Sequence, residues 1–232
     1  HCVTGVQTCA LPIYASVIAA SEFFAGANPS IIETIAQQAS EQTLVRGDVL
    51  FNEGDTPDAL YIVLAGRIAI AIDNKPLDTR ESVVALMIEG DLFGDLALLD
   101  GGARSALARA LEPSRVLRIP YSAVQPQLQS NPDLLWGVTK VLAKRLRAMD
   151  EALADSVFLD VTGRTAKRLL ELSNGADEFV LPVTQEELAG MVGASRERVN
   201  KAIASFIRLG WLEQRDRQYK FLNRPNLEQR AS

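Results

Sequence analysis

The spacing of apolar positions changes twice along the chain. Between residues 28 and 40, Ile31, Ile32 and Ile35 form a helical stripe. Asn28 suits its N-cap and Pro29 its first position. From about 42 to 119 the pattern turns to short apolar runs at 43–46, 48–51, 60–64, 67–73, 83–88, 104–111 and 114–119. Gly47-Asp48, Gly54-Asp55, Gly66, Asp73-Asn74, Gly90-Asp91 and Gly101-Gly102 punctuate them as turns. Many short strands at even spacing predict a sandwich, barrel or jelly roll. A helical period returns at 120. Pro126 should interrupt it, leaving a short helix at 121–125 or slightly beyond.

Asn131 and Pro132 then open a long helix to 157. Leu135, Leu142, Leu146, Met149 and Leu153 follow at spacings of 7, 4, 3 and 4. That is an a/d seam longer than one small domain easily covers, so a dimer helix is expected; the plainer alternative packs it on its own domain. A further helix spans 161–173 and ends at Asn174-Gly175. Residues 178–222 read as strand, helix, turn, helix and a hairpin of 211–214 with 218–222. The fold class is therefore α+β: a jelly roll at 14–130, a dimerisation helix at 131–157 and a winged helix-turn-helix at 158–232.

Composition narrows the chemistry. The 232 residues are 47% hydrophobic and 23% charged, as in an ordinary globular protein. The single histidine, His1, and both cysteines, Cys2 and Cys9, fall within the first nine positions. The body of the chain thus lacks the usual ligands for zinc, haem or iron–sulfur clusters, and the imidazole of a nucleophilic triad. No metal, haem or iron–sulfur cluster is expected, nor an enzyme, since no carboxylate pair stands in a catalytic context. Residues 3–13, VTGVQTCALPI, resemble the translation of a common sequencing adapter, so residues 1–13 are set aside as an artefact. No apolar run approaches a membrane span, and cytoplasm is the expected compartment. The net charge of −5 is uneven. Residues 1–155 hold 12 basic and 19 acidic side chains; residues 183–232 hold 9 and 6. A basic module on an acidic body suits nucleic acid, although a solvated face gives the same count.

Thr184-Gln185-Glu186-Glu187 has capping-box spacing. Ala189, Gly193 and Val199 supply the small residue, the turn and the packing residue of a helix-turn-helix. Ser195 is placed to cap the second helix. Arg196, Glu197 and Lys201 then lie on its exposed N-terminal face. Arg suits guanine O6/N7, Glu suits cytosine N4, and Lys suits guanine or phosphate.

FGDLALLDGGARSA at 93–106 reads as a phosphate site. Gly94 permits close approach of a ligand, and residues 95–99 suit one helical turn with free N–H groups. Arg104 and Ser105 suit a phosphate, and Asp95 suits a ribose hydroxyl. The alternative is a structural site in which Arg104 pairs with Asp95 or Asp100.

These motifs, with Asn52-Glu53-Gly54-Asp55, YIVLAG at 61–66, FLDVTGR at 158–164 and Ser195-Arg196-Glu197, resemble the Crp/Fnr family of bacterial transcription regulators over about 22–222. The resemblance implies a homodimer with a cyclic-nucleotide-binding jelly roll and a winged helix-turn-helix. It implies that Gly94 and Asp95 hold a ribose, Arg104 and Ser105 a cyclic phosphate, and Met149 and Asp150 face the base. Two departures stand out. Nucleotide-binding members usually carry Glu where this chain has Asp95. The cyclic-AMP receptor has two hydroxyl residues where this chain has Met149 and Asp150. The implied effector is cyclic AMP or another cyclic nucleotide. The implied partners are a pseudo-palindromic DNA duplex and, for an activator, RNA polymerase. Arg196, Glu197 and Lys201 resemble the set that reads TGTGA-like half-sites, with Lys201 replacing an Arg. A ligand-independent regulator with a vestigial pocket is the competing expectation.

Overall fold

The computed structural model describes residues 5–73 and 81–232. Asn74 of the expected Asp73-Asn74 turn lies outside them. The chain opens with α1 (Gly5–Ala20), which extends into the segment set aside above, then a 3-10 turn (Glu22–Phe24) and α2 (Pro29–Ala36). Asn28 caps α2 by accepting from the Ile31 N–H at 3.0 Å.

Eight strands follow: β1 (Ser40–Leu44), β2 (Val49–Phe51), β3 (Ala59–Ala65), β4 (Ile68–Asp73), β5 (Glu81–Met87), β6 (Leu92–Phe93), β7 (Leu107–Ala110) and β8 (Ser114–Pro120). The short helix α3 (Leu96–Asp100) separates β6 from β7. The strands form two four-stranded sheets, ordered β1-β8-β3-β6 and β2-β7-β4-β5. Strand β3 shows why the sandwich holds. Its run ALYIVLA is buried on both faces, so it carries no polar alternation. Tyr61 and Val63 join Phe51, Ile68, Phe93 and Ala108 in the core between the sheets. Leu60 and Ile62 point the other way and pack with Ile18, Phe23, Ile35, Val124 and Leu134 from the helices.

Three sequence expectations need correction here. The strand expected at 104–111 starts at Leu107, because Arg104 is drawn into the interior. The two-residue strand β6 was too short to show a period. Pro126 does not break its helix: α4 runs Tyr121–Ser130 through it. Burial of Ala123, Val124 and Leu128 holds both sides of the proline and offsets its one missing hydrogen bond.

Helix α5 (Pro132–Phe158) is unbroken over 27 residues. The C-terminal module contains α6 (Val161–Leu172), β9 (Glu178–Val180), α7 (Gln185–Val192), α8 (Arg196–Arg208), β10 (Leu212–Arg215), β11 (Gln218–Phe221) and α9 (Arg224–Arg230). Strands β10, β11 and β9 form an antiparallel sheet in that order. Leu188, Val199, Phe206 and Tyr219 are among its fully covered core residues. The sequence reading did not include α9. It is capped by Asn223, which accepts from the Asn226 N–H, and it buries only Leu227. One apolar residue is too few to register as a stripe.

Candidate functional site

Arg104 is the least expected side chain of the jelly roll. Only 4% of it is exposed. Its Nη1 donates to the Gly94 carbonyl and the Tyr121 hydroxyl, both at 3.0 Å, and its Nη2 donates to the Ala59 carbonyl at 2.6 Å. The guanidinium lies 4.1 Å from the centroid of the Phe51 ring, a cation–π distance. Its Nε has no hydrogen-bond partner although it is shut off from solvent. Its ion pair is with Asp58 at a long 3.9 Å, and Asp58 is already paired closely with Arg118. Arg104 is therefore a buried cation whose charge is poorly compensated, a costly arrangement in a low-dielectric interior. The carboxylates proposed as its structural partners, Asp95 and Asp100, do not hold it.

Gly94 explains how this packing is possible. Its φ is +79°, a region most side chains avoid, and a Cβ there would lie 2.7 Å from Arg104 Nη1. Tyr121 also donates to the Gly94 carbonyl. Burial pushes the Tyr121 hydroxyl above its ordinary value, against the opposing influence of Arg104. Tyr121 thus remains a neutral donor at physiological pH.

Asp95 is still more enclosed, at 2% exposure. Both its oxygens accept from Arg145 Nη1, at 2.9 and 2.8 Å. Arg145 lies on α5, and its Nη2 also donates to the Leu92 carbonyl at 3.0 Å. Asp95 stands at the N-cap of α3 but makes no capping bond. Ser105 is exposed beside Arg104. On α5, Met149 is 65% exposed and Asp150 is also exposed. The seam residues Leu135, Leu142, Leu146 and Leu153 all present apolar surface.

Sequence reasoning missed Arg145, Tyr121 and Phe51. A bulky aromatic in an apolar strand reads as core, and Arg145 reads as the solvated face of an amphipathic helix. Only the fold brings them to Asp95 and Arg104.

In the C-terminal module, Thr184 and Glu187 complete the capping box. The Glu187 N–H donates to Thr184 Oγ1 at 3.2 Å, and the Thr184 N–H donates to Glu187 Oε2 at 2.7 Å. Gly193 closes α7 at φ +67°. Ala189 and Val199 are buried within the module, which also packs α7 on α8. Ser195 occupies the N-cap of α8, but its side chain makes no capping bond, contrary to expectation. The first-turn N–H groups of α8 are left without that acceptor. Arg196, Glu197 and Lys201 are all exposed on α8.

No group among the described residues has the His, Cys, Asp or Glu cluster that would hold a metal ion. No described helix is long and apolar enough to cross a membrane.

Comparison with known proteins fits both halves of this geometry. Residues 41–131 match the cyclic nucleotide-binding domain, and residues 163–230 match the Crp-like helix-turn-helix domain. The chain is 34% identical over 222 residues to the CRP-like cAMP-activated global transcriptional regulator of Mycobacterium tuberculosis, covering 93% of this chain and 98% of that one. Among solved structures, FixK2 from Bradyrhizobium japonicum superposes with a TM-score of 0.75 at 21% identity, covering 84% and 98%, a likeness of fold. The c-di-GMP responsive global regulator CLP of Xanthomonas campestris gives 0.71 at 25% identity, covering 84% and 99%. The relatives are transcription regulators, not enzymes. A cyclic-nucleotide-binding jelly roll joined by a long helix to a helix-turn-helix module places this chain in the Crp/Fnr family of DNA-binding transcription regulators.

Proposed function

We propose that the protein is a homodimeric regulator whose DNA binding is gated by a cyclic mononucleotide, with cyclic AMP as the leading effector. The observation that carries this is the Arg104 guanidinium: buried, unsatisfied at Nε, and paired only distantly with a carboxylate that another arginine holds. A buried cation in that state favours an anion. One guanidinium suits one phosphodiester, and that matches a cyclic mononucleotide better than a cyclic dinucleotide.

When bound, the nucleotide would supply a single negative charge and a ribose hydroxyl. Arg104 would exchange carbonyl partners for phosphate oxygens, and the exposed Ser105 hydroxyl would add a donor. Asp95 would accept from the ribose while Arg145 keeps it oriented. Its shorter side chain and its bidentate hold by Arg145 make this half of the site the weaker one. Met149 and Asp150 would face the base. The CRP-like relative from M. tuberculosis is described as cAMP-activated, which favours the same effector. Homodimerisation through Leu135, Leu142, Leu146, Met149 and Leu153 would cover their exposed surface. Two copies of α8 would then meet successive major grooves of a pseudo-palindrome, with Arg196 and Glu197 reading bases. RNA polymerase is the expected partner if the protein activates.

The competing reading is a ligand-independent regulator. It is favoured by the internal bonds that already engage both Nη atoms of Arg104. Calorimetric titration with cyclic AMP, cyclic GMP and cyclic di-GMP, on wild type and Arg104→Ala, separates the readings. Heat from a mononucleotide that disappears in the variant supports gating. Absence of heat from every nucleotide supports the vestigial pocket.

A further inference from the structure

Helix α9 is seven residues long and buries Leu227 alone. A helix that short does not hold its shape in water, because its nucleation outweighs what two turns return. It is helical only while docked, so docking and folding of α9 are one event. Its seat is α6. At the end of α9, Arg230 pairs with one oxygen of Asp160, the N-cap of α6, while the other oxygen accepts from the Gly163 N–H at 2.8 Å. Gly163 is buried, and a Cβ there would lie 2.9 Å from the Arg230 carbonyl oxygen and 3.0 Å from its Nη1. The missing side chain is what lets α9 lie flat on the first turn of α6. At the start of α9, Arg224 donates to Asp177 Oδ1 and to the Ala176 carbonyl, both at 2.7 Å. The same first turn of α6 carries the joint with α5. Arg164 donates from Nη1 to the Leu159 carbonyl at 2.7 Å and from Nε to the Val192 carbonyl, at the end of α7, at 2.9 Å. Lys167 reaches back to Asp155 of α5 at 2.7 Å. Arg164 and Lys167 thus hold the joint from α6, and Arg230 holds it from α9.

We propose that α9 is a detachable strap over the α5–α6 joint, and that Arg230 is its positioning residue, acting through Asp160 to fix the first turn of α6. Helix α6 packs against both α7 and α8, so fixing its start fixes how the end of α5 presents the helix-turn-helix. With the strap folded the joint is stiff. With the strap unfolded, Asp160 loses its cation, Gly163 meets water and the joint bends more freely. A loose joint must be ordered when the module binds DNA, and that ordering lowers affinity. The strap goes beyond the effector reading and does not need it.

Amide hydrogen exchange on the full chain, read by mass spectrometry, tests the strap in wild type, Arg230→Ala, Arg230→Lys and Gly163→Ala. Arg230 and Asp160 both reach solvent, so removing their ion pair should leave the thermal midpoint where it is. In Arg230→Ala, exchange should rise about tenfold at 158–164 as well as in α9, with α7 and α8 unchanged. Arg230→Lys keeps the charge and should recover part of the protection. Gly163→Ala should show the same loosening, although alanine favours a helix over glycine. Affinity for an operator duplex selected from a random pool should fall about threefold in Arg230→Ala, with base order and salt slope as in wild type. Faster exchange confined to α9, with 158–164 and DNA affinity unchanged, would overturn the strap. Slower exchange at 158–164 in Gly163→Ala, the result of helix propensity alone, would overturn the seat and the strap with it. A shallower salt slope in Arg230→Ala would put that side chain on a DNA phosphate and overturn its positioning role. The exchange measurement uses neither DNA nor nucleotide, so its outcome is separate from that of the gating reading.

Discussion

The candidate-site charges of the jelly roll and the cations of α8 are arranged in opposite ways. In the jelly roll, Arg104 and Asp95 are buried and engaged with the protein itself. On α8, Arg196, Arg198, Lys201 and Arg208 stand in solvent. The difference is instructive because both regions are candidate binding sites for phosphate-bearing ligands. A site of the first kind must exchange internal bonds for external ones, so its ligand works against a standing set of contacts. A site of the second kind is already presented, and its affinity is set by charge and salt. Under the gating proposal the protein would thus hold a closed input and an open output.

The largest expected effect tests the input. Arg104→Ala should weaken effector binding by about 100-fold, near 2.8 kcal/mol at about 1.4 kcal/mol per tenfold, measured by calorimetry. Its DNA affinity without effector should match wild type. Full-strength DNA binding by wild type without any nucleotide would erase the contrast. Next comes the seam that would link the two regions. Leu146→Glu with Leu153→Glu should convert a dimer to a monomer at micromolar concentration, as read by sedimentation. A dimer that survives both charges would show that the stripe lies elsewhere. Arg145→Ala leaves the buried Asp95 carboxylate without its cation and should cost about 1–3 kcal/mol in chemical denaturation. Adding Asp95→Asn should restore part of that loss, since the stranded charge is gone.

The smallest effect concerns Asp160, at the start of α6. Its carboxylate is held below the usual range, first by the Gly163 N–H and then by Arg230. A lowered pKa means stability that is present above the unfolded value and lost as pH falls through the folded one. Asp160→Asn should therefore flatten the acid limb of the module's stability curve without affecting neutral pH by more than about 1 kcal/mol.

Where period and punctuation coincide, the sequence was a good guide. The run at β3, the Asn28 and Thr184 caps and the Gly193 turn all depend on neighbours a few residues away, so their signals are local. The site was less legible because its partners are distant in sequence. Arg145 stands 50 positions from Asp95, and Ala59 stands 45 from Arg104. Nothing in local spacing links them. Pro126 failed as a helix breaker for the same reason, since the burial that holds α4 together is tertiary. Ser195 failed in the other direction: the residue type was right for a cap, but its side chain does not bond to the helix.

The sealed Nε of Arg104 has one more consequence. An N–H shielded from water exchanges its proton slowly, and a group stacked above an aromatic face has its resonance displaced by the ring current. Arg104 meets both conditions, with Nε out of solvent and Phe51 beneath the guanidinium. With nitrogen-15 labelling, that one side chain becomes a built-in magnetic-resonance reporter. Its signal should persist in the free protein and move when the arginine turns to an anion, so occupancy can be followed without dye, tag or substitution.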